Sequence, residues 1–501
     1  MSTISTSQSG STERRKWIAL VVVCLAMLMN ALDGSIVNVA LPSIQHDLHF
    51  TQANLTWVVD AYLIAFGSFL LLAGRLGDLL GRKKVFLSGV ALFTLSSLAC
   101  ALAPSQGWLI GARFVQGIGG AVSTSVIVAI IVTEFSGAAE RAKAMSAYMF
   151  VAVGGGSLGL LVGGILTQSV SWHWIFMINV PIGLATLVLG WFLIRENDGL
   201  GVRHGLDVTG SLLLTLSLVI GIFAIVKASS YGWISLHTIG ILAISAALLS
   251  AFFVVEGRVA RPIVPLRIFK LKSLTVSSVV RGLSFSAMYA VFFFGALYME
   301  RVLGFGPLKT GLAFLPMTLA MAAMSLGATS KLLMRYGAMK LLIPGMTAVI
   351  VGLLLLTKTG VHSSYATDVL PAFLLLGFGM SISAVPLLTI AMADVPREDA
   401  GLASGIVNVS MWLASSTALA IFGTLAASKS ASLMTQGRSV AEASVAGYHV
   451  TFFVGAVLTA TALALTATVL RSPANRETLA NEVSARLVQE TSGELDVFEA
   501  R

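Results

Sequence analysis

Three ionisable residues stand inside long apolar stretches. Asp33 lies in NALDGSIVNVALP, Asp60 in TWVVDAYLIAF and Arg113 in RFVQGIGGA. An aspartate held ionised at the centre of a membrane-spanning helix costs about 2.5–3.5 kcal/mol on an insertion scale, so each is a functional candidate by default. At 1.5 Å per residue, Asp33 falls roughly 10 Å, and Asp60 and Arg113 roughly 8 Å, from the same membrane surface. Burial disfavours a charged carboxylate and a nearby guanidinium favours it, so entry of water or arrival of a cation can switch protonation. A proton and a cationic ligand would then compete for one negative site. The structural alternative is that the three groups snorkel to the interface or form an ion pair, and snorkelling suits a long arginine better than a short aspartate. Asn30 and Asp33 share one helix face, and Arg113, Gln116 and Gly120 share another by three-and-four spacing, so two polar stripes can meet in the interior.

The composition requires a membrane around these groups. The chain has 501 residues, 56% apolar and 11% charged, too little polar surface for a soluble domain of that size. Its mean hydropathy is +0.89. Apolar runs long enough to cross a bilayer fall at 17–40, 55–74, 84–103, 108–132, 143–167, 172–194, 207–226, 236–255, 273–299, 308–330, 341–358, 368–392, 401–426 and 448–470. The fold expected is an all-α membrane protein of fourteen transmembrane helices, with both termini on one side. Of the 32 Lys and Arg residues, 24 fall on the side of the termini, six on the other, and Arg113 and Arg281 within spans. The positive-inside rule then makes the termini cytoplasmic and the location a multi-pass cell membrane. The formal charge of +9 reflects this topology, so no nucleic-acid partner is expected. The start, Arg14-Arg15-Lys16 before an apolar run of more than twenty residues, reads as a retained first span and not as a signal peptide.

Between spans 2 and 3, GRLGDLLGRKK (Gly74 to Lys84) packs four cations and one carboxylate into a hairpin at the membrane surface. Such a loop could serve only to fix topology. The spacing of Gly74, Asp78, Gly81, Arg82 and Lys83 closely resembles the cytoplasmic loop signature of the major facilitator superfamily. By that resemblance the motif is a cytoplasmic gate, in which Asp78 and its neighbouring cations latch two halves together in the outward-facing state. GATSKLLMRYGAMK (Gly327 to Lys340) weakly echoes the motif, with Lys331 where Asp78 stands in the first copy. The echo divides the chain into two six-helix halves, 17–194 and 273–470, with two inserted helices in a linker at 195–272 and cytoplasmic tails at 1–16 and 471–501. Parallel halves of this kind place a ligand site near the midplane between them.

Further segments carry the resemblance along nearly the whole chain. RFVQGIGGA resembles the span-4 signature of the superfamily, LDGSIVNVALP the span-1 signature of its fourteen-span drug:proton antiporters, and WVVDAYLIA the span-2 segment of exporters of quaternary ammonium compounds. The resemblance implies that Asp33 and Asp60 are proton and cation sites and Arg113 a coupling residue. In span 5, Gly155, Gly159 and Gly163 recur every four residues, with Gly164 beside them, a spacing that allows close helix approach. The segment resembles the antiporter motif g-x-x-x-G-P-x-x-G-G, except that Leu160 stands where the proline is expected. WHWIFMINVPIG (Trp172 to Gly183) has His173 where arginine is usual and reads as an interfacial anchor with Trp172 and Trp174.

A substrate pocket is expected among Asn30, Asn38, Trp57, Tyr62, Phe66, Gln116, Tyr289 and Phe292, since aromatic faces attract cations. The eighteen methionines would let the pocket repack around varied ligands. The bland reading of any one of these side chains is packing or lipid contact. Arg281, in span 9, either snorkels or binds an anionic group. Cys24 and Cys100 read as buried small hydrophobes, and His46 and His49 lack the further ligands a metal would need. No enzyme signature or phosphate-binding GxxxxGK[ST] appears, so neither cofactor nor metal is expected and the proton gradient would be the energy source. The function implied is proton-coupled export of lipophilic, cationic compounds by a monomer. A lipid or metabolite exporter on the same fold, and a sensor that binds without translocating, are the alternatives.

Overall fold

The structure, a computed structural model, describes residues 5–135, 138–196, 199, 207–232, 234–259, 266–324, 329–395 and 400–470. The first six crossings begin with α1 (Ser5–Leu48), the single turn α2 (Gln52–Leu55), α3 (Trp57–Leu80) and α4 (Arg82–Ala101). The fourth crossing is interrupted at Val126 into α5 (Gln106–Ser125) and α6 (Ile127–Glu134), and the fifth is the unbroken α7 (Ala138–Ser169). The sixth is interrupted at Ile178 into α8 (Trp174–Met177) and α9 (Asn179–Leu193). Pro181 accounts for that break, because it has no N–H to donate to Met177 and its ring crowds that carbonyl.

Helices α10 (Val208–Tyr231) and α11 (Leu236–Glu256) pack on each other as the inserted pair. The second half comprises α12 (Lys272–Arg301), α13 (Pro307–Ala323) with the short α14 (Thr329–Tyr336), α15 (Ala338–Leu356), α16 (Leu370–Met392), α17 (Ala400–Thr435) and α18 (Val440–Leu465). Among the described residues, eleven helices are long and apolar enough to cross a membrane, and the apolar stretches Trp57–Leu70 and Thr209–Ile225 are shorter. With α13 the set corresponds to the fourteen expected runs.

The end of the bundle that gathers most Lys and Arg is termed the basic face, and the other the far face. At the basic face, α3 passes into α4 through Gly81 alone, at φ 100° and ψ 133°. Residues with a Cβ rarely adopt that conformation, so glycine is required by the backbone itself. Gly337, at φ 80°, makes the same one-residue junction before α15. The two junctions match the weak internal echo read from the sequence, whereas Gly327 lies outside the described residues, as does the side chain of Lys331.

Small residues set how closely the helices approach. The glycine stripe of α7 lies on α1: an added Cβ would sit 2.7 Å from Ala31 Cβ at Gly155, 2.8 Å from the Leu32 carbonyl at Gly159, and 2.8 Å from the Ile36 carbonyl at Gly163. The neighbouring Gly164 faces the other half, where a Cβ would be 2.6 Å from the Pro307 carbonyl. One turn deeper, the carbonyl of the buried Leu160 lies 2.4 Å from where a Cβ on Gly311 would stand. Gln168 completes this contact by accepting from the Leu308 N–H at 3.1 Å. The halves therefore meet backbone to backbone at the far face, and α3 meets α17 along a second seam through Gly67 and Gly423.

Candidate functional site

The two polar stripes meet inside the first half. Arg113 on α5 donates from Nη1 to Asp33 Oδ2 of α1 at 2.5 Å, with the carboxylate fully buried and the arginine 1% exposed. The guanidinium makes two further bonds: Nε donates to the Val58 carbonyl at 2.9 Å and Nη1 to Gln116 Oε1 at 2.7 Å. The ring of Tyr62 covers it, with Cζ 4.5 Å from the centroid. On the other side of Asp33, Oδ1 accepts from Gln116 Nε2 at 2.8 Å and Asn179 Nδ2 at 3.3 Å. Gln116 further donates to Ser97 Oγ at 2.7 Å, and Cys100 Sγ reaches its Oε1 at 3.6 Å. Buried charges of this kind are tolerated only when paired and hydrogen-bonded, as here.

Asn30 extends the stripe by one turn. It accepts from the Tyr62 hydroxyl at 3.3 Å and donates to Ser123 Oγ at 3.4 Å. Gly120 is needed beside it, because a Cβ there would lie 2.6 Å from Asn30 Oδ1.

Asp60 is not part of this cluster. It shares the membrane depth expected from the sequence but faces the second half, where Ser416 of α17 donates to Oδ1 at 3.4 Å. Thr56, one turn earlier, also hydrogen-bonds the carboxyl. The side chain is fully buried, and among the described residues Oδ2 has no hydrogen-bond partner. Two carboxylates of similar sequence context thus have different surroundings: Asp33 is saturated with donors inside one half, and Asp60 is undersatisfied at the seam between both.

An aromatic path joins the two halves. From Tyr62 the centroids run 5.8 Å to Phe66 and 4.8 Å on to Trp412 of α17, with Tyr289 of α12 6.2 Å from Trp412. Phe292 stacks instead toward Phe314, at 5.6 Å, deeper in the second half. Two expected pocket residues lie elsewhere. Trp57 packs on Phe223 of the inserted α10 at 5.9 Å, because its position at the head of α3 faces that pair. Asn38 donates to its own helix, at the Gly34 and Ser35 carbonyls. Trp172, read as an interfacial anchor, is 3% exposed and donates to Asp47 at 2.8 Å, whereas Trp174 is 48% exposed.

The basic-face motif is held within the first half. Arg82 donates to the Ala129 carbonyl at 3.2 Å and to Thr133, and Lys83 donates to the Trp191 carbonyl at 2.6 Å. The Asp78 side chain lies outside the described residues. Gly74 has open space around it, whereas at Gly77, not singled out from the sequence, a Cβ would strike Val126 at 2.3 Å.

Sequence reasoning also missed Asn179, Ser416 and Trp412. Asn179 had a signal, a lone amide just before a proline in an apolar span. Trp412 had another, since tryptophans favour the two interfaces and this one lies near mid-span.

Two helical halves that meet across a seam containing a buried, undersatisfied carboxylate have the arrangement of a membrane transporter. The family model of the Major Facilitator Superfamily matches residues 23–420. The chain belongs to that superfamily. It is 34% identical to the puromycin resistance protein pur8 of Streptomyces alboniger over 458 residues, covering 90% of this chain and 91% of that one. It is 33% identical to the cephamycin export protein CmcT of Amycolatopsis lactamdurans, covering 93% and 95% of the two chains. Among solved structures, a bacterial homologue of the human lysosomal transporter Spinster, inward-facing and unoccupied, superposes with a TM-score of 0.64 at 15% identity, covering 92% and 99%.

Proposed function

We propose that this protein is a secondary active exporter that moves lipophilic, cationic compounds out of the cell in exchange for protons. It works in the cytoplasmic membrane as a monomer, with the basic face and both termini toward the cytoplasm and no bound cofactor. The names of its relatives, resistance and export proteins for antibiotics, support drug export. The positive-inside bias supports the orientation.

The observation that carries the coupling is Asp60. A fully buried carboxylate with one oxygen unpartnered is satisfied either by a proton or by a cation. It sits where the halves part, so its surroundings change as the seam opens. Exchange of one ligand for the other at this group is a minimal antiport step. The membrane potential adds about 2.3 kcal/mol per elementary charge per 100 mV, so one or two protons per cycle support a substantial gradient. The Asp33–Arg113 pair acts by holding α1 and α5 in register, coupling the charge state of the first half to its packing. The backbone contact holds the halves together at the far face, and GRLGDLLGRKK closes the basic face in the state that is open to the far side.

The test is proton-coupled efflux of a fluorescent lipophilic cation from proteoliposomes, for the native chain, Asp60→Asn and Asp33→Asn. Coupled efflux by the native chain and its loss in Asp60→Asn are expected. Unchanged coupled transport in both variants would sink the carboxylate assignment.

A further inference from the structure

The second half carries its own buried charge. Arg281 lies in α12, on the basic-face side of the far-face contact, and its side chain is only partly exposed. Among the described residues the guanidinium has no ion-pair partner and its Nε no hydrogen-bond partner. The ring of Phe285, one turn along the same helix, lies beside it, with Cζ 5.1 Å from the centroid. Snorkelling to lipid does not describe it, because the lipid-exposed side of α12 at this level is marked by Val279, 48% exposed and on the opposite side of the helix.

Arg281, Phe285, Tyr289 and Phe292 recur at helical spacing and are partly exposed along a helix otherwise largely buried. At Tyr289 this stripe reaches the first half, while Phe292 turns to Phe314. Tyr289 packs on Trp412, which packs on Phe66, and Tyr289 lies within electrostatic reach of Arg113 and Tyr62. Arg281 therefore opens onto the same seam as Asp60, nearer the basic face. Gly282 abuts Ser410 and Ala414 of α17, and Asp60 abuts Ser416. The two charges are thus separated along the bundle by about five residues, or roughly 8 Å.

The geometry points to Arg281 as the binding site for the carboxylate of an amphoteric substrate whose cationic group occupies Asp60. A guanidinium offers two parallel N–H donors that match a carboxylate, and in a site withdrawn from water such charge-assisted bonds are strong. This assignment rests on the export reading above for what Asp60 binds, and it adds the other end of the molecule. It also gives the cation a counter-ion that the described residues do not supply.

The test uses a rhodamine with a free carboxylate and its methyl ester, binding to the full chain in lipid nanodiscs, read by fluorescence anisotropy. The native protein is expected to prefer the carboxylate. Arg281→Gln should weaken carboxylate binding by about 10- to 100-fold, the range of a hydrogen bond to a charged group, and change ester binding by less than about 2-fold, below what loss of one such bond gives. Arg281→Lys should recover part of the loss, and the retained ester affinity certifies folding in both variants. Equal changes for the two probes, no change for either, or no binding of either to the native chain would overturn the assignment. Export of the ester from proteoliposomes is scored separately. If it fails while the carboxylate preference persists, the export reading falls and the anion site stands.

Discussion

Breaking the Asp33–Arg113 pair from one side should cost more than removing it whole. In Asp33→Asn one carboxylate oxygen becomes an amide nitrogen. If the nitrogen takes the place of Oδ2, it faces the Arg113 donor, and if it takes the place of Oδ1, it faces the amides of Gln116 and Asn179. Either way a donor meets a donor, and a guanidinium 1% exposed is left without its counter-charge. Removing one partner of a buried pair typically costs about 3–5 kcal/mol. Arg113→Gln should cost a similar amount, because it strands a carboxylate that no water reaches. The double variant Asp33→Asn, Arg113→Gln removes both charges and keeps hydrogen-bonding groups at both places, so its stability should return to within about 1–2 kcal/mol of the native chain. Transport should not return. The measurements are denaturant unfolding in detergent for all four proteins, treated as a double-mutant cycle, alongside coupled efflux. Additive losses in the double variant, or single variants as stable as the native chain, would refute the reasoning.

The α7 stripe makes a sharper test of packing than its spacing alone. Gly159→Ala and Gly163→Ala place a methyl against α1 backbone and should destabilise by about 1–3 kcal/mol, whereas Gly154→Ala and Gly156→Ala, with open space around them, should be neutral or stabilising by up to about 1 kcal/mol, as read by thermal unfolding. At the far face, Gly164→Val and Gly311→Val push against backbone of the opposite half. They should leave each half folded but raise labelling of a cysteine placed in the far-face seam, and unchanged labelling would count against closure by that contact.

Much of this was legible in the sequence because helical spacing fixes a face before any partner is known. Asn30 with Asp33, and Arg113 with Gln116 and Gly120, could be assigned to stripes at one depth, and two such stripes can be expected to meet. Asp60 shows the limit. Depth along a helix is readable from residue counts, but its azimuth relative to neighbouring helices is not, and Asp60 faces α17 while Val58, two residues earlier, gives its carbonyl to Arg113. Trp57 failed for the same reason, since nothing in the sequence says that the inserted α10 covers the head of α3. Asn179 and Ser416 were obscured by ordinariness, a single amide and a single hydroxyl in apolar surroundings. Leu160 was read as a departure that weakened a motif. In the structure α7 runs unbroken through it, and what matters at that point is its main-chain oxygen against Gly311.

That far-face contact has a consequence for where the protein can work. On the proposed orientation it meets the external medium, whose acidity and salt content the cell does not control. A closure made of carboxylates and lysines would loosen in brine or acid. The described contact is made of glycine, proline and main-chain carbonyls with one glutamine amide, and none of these groups titrates or is screened. This backbone contact is thereby insulated from the surroundings, while the ionisable His46, Asp47 and Glu300 line a cavity beside Pro307 at the same face.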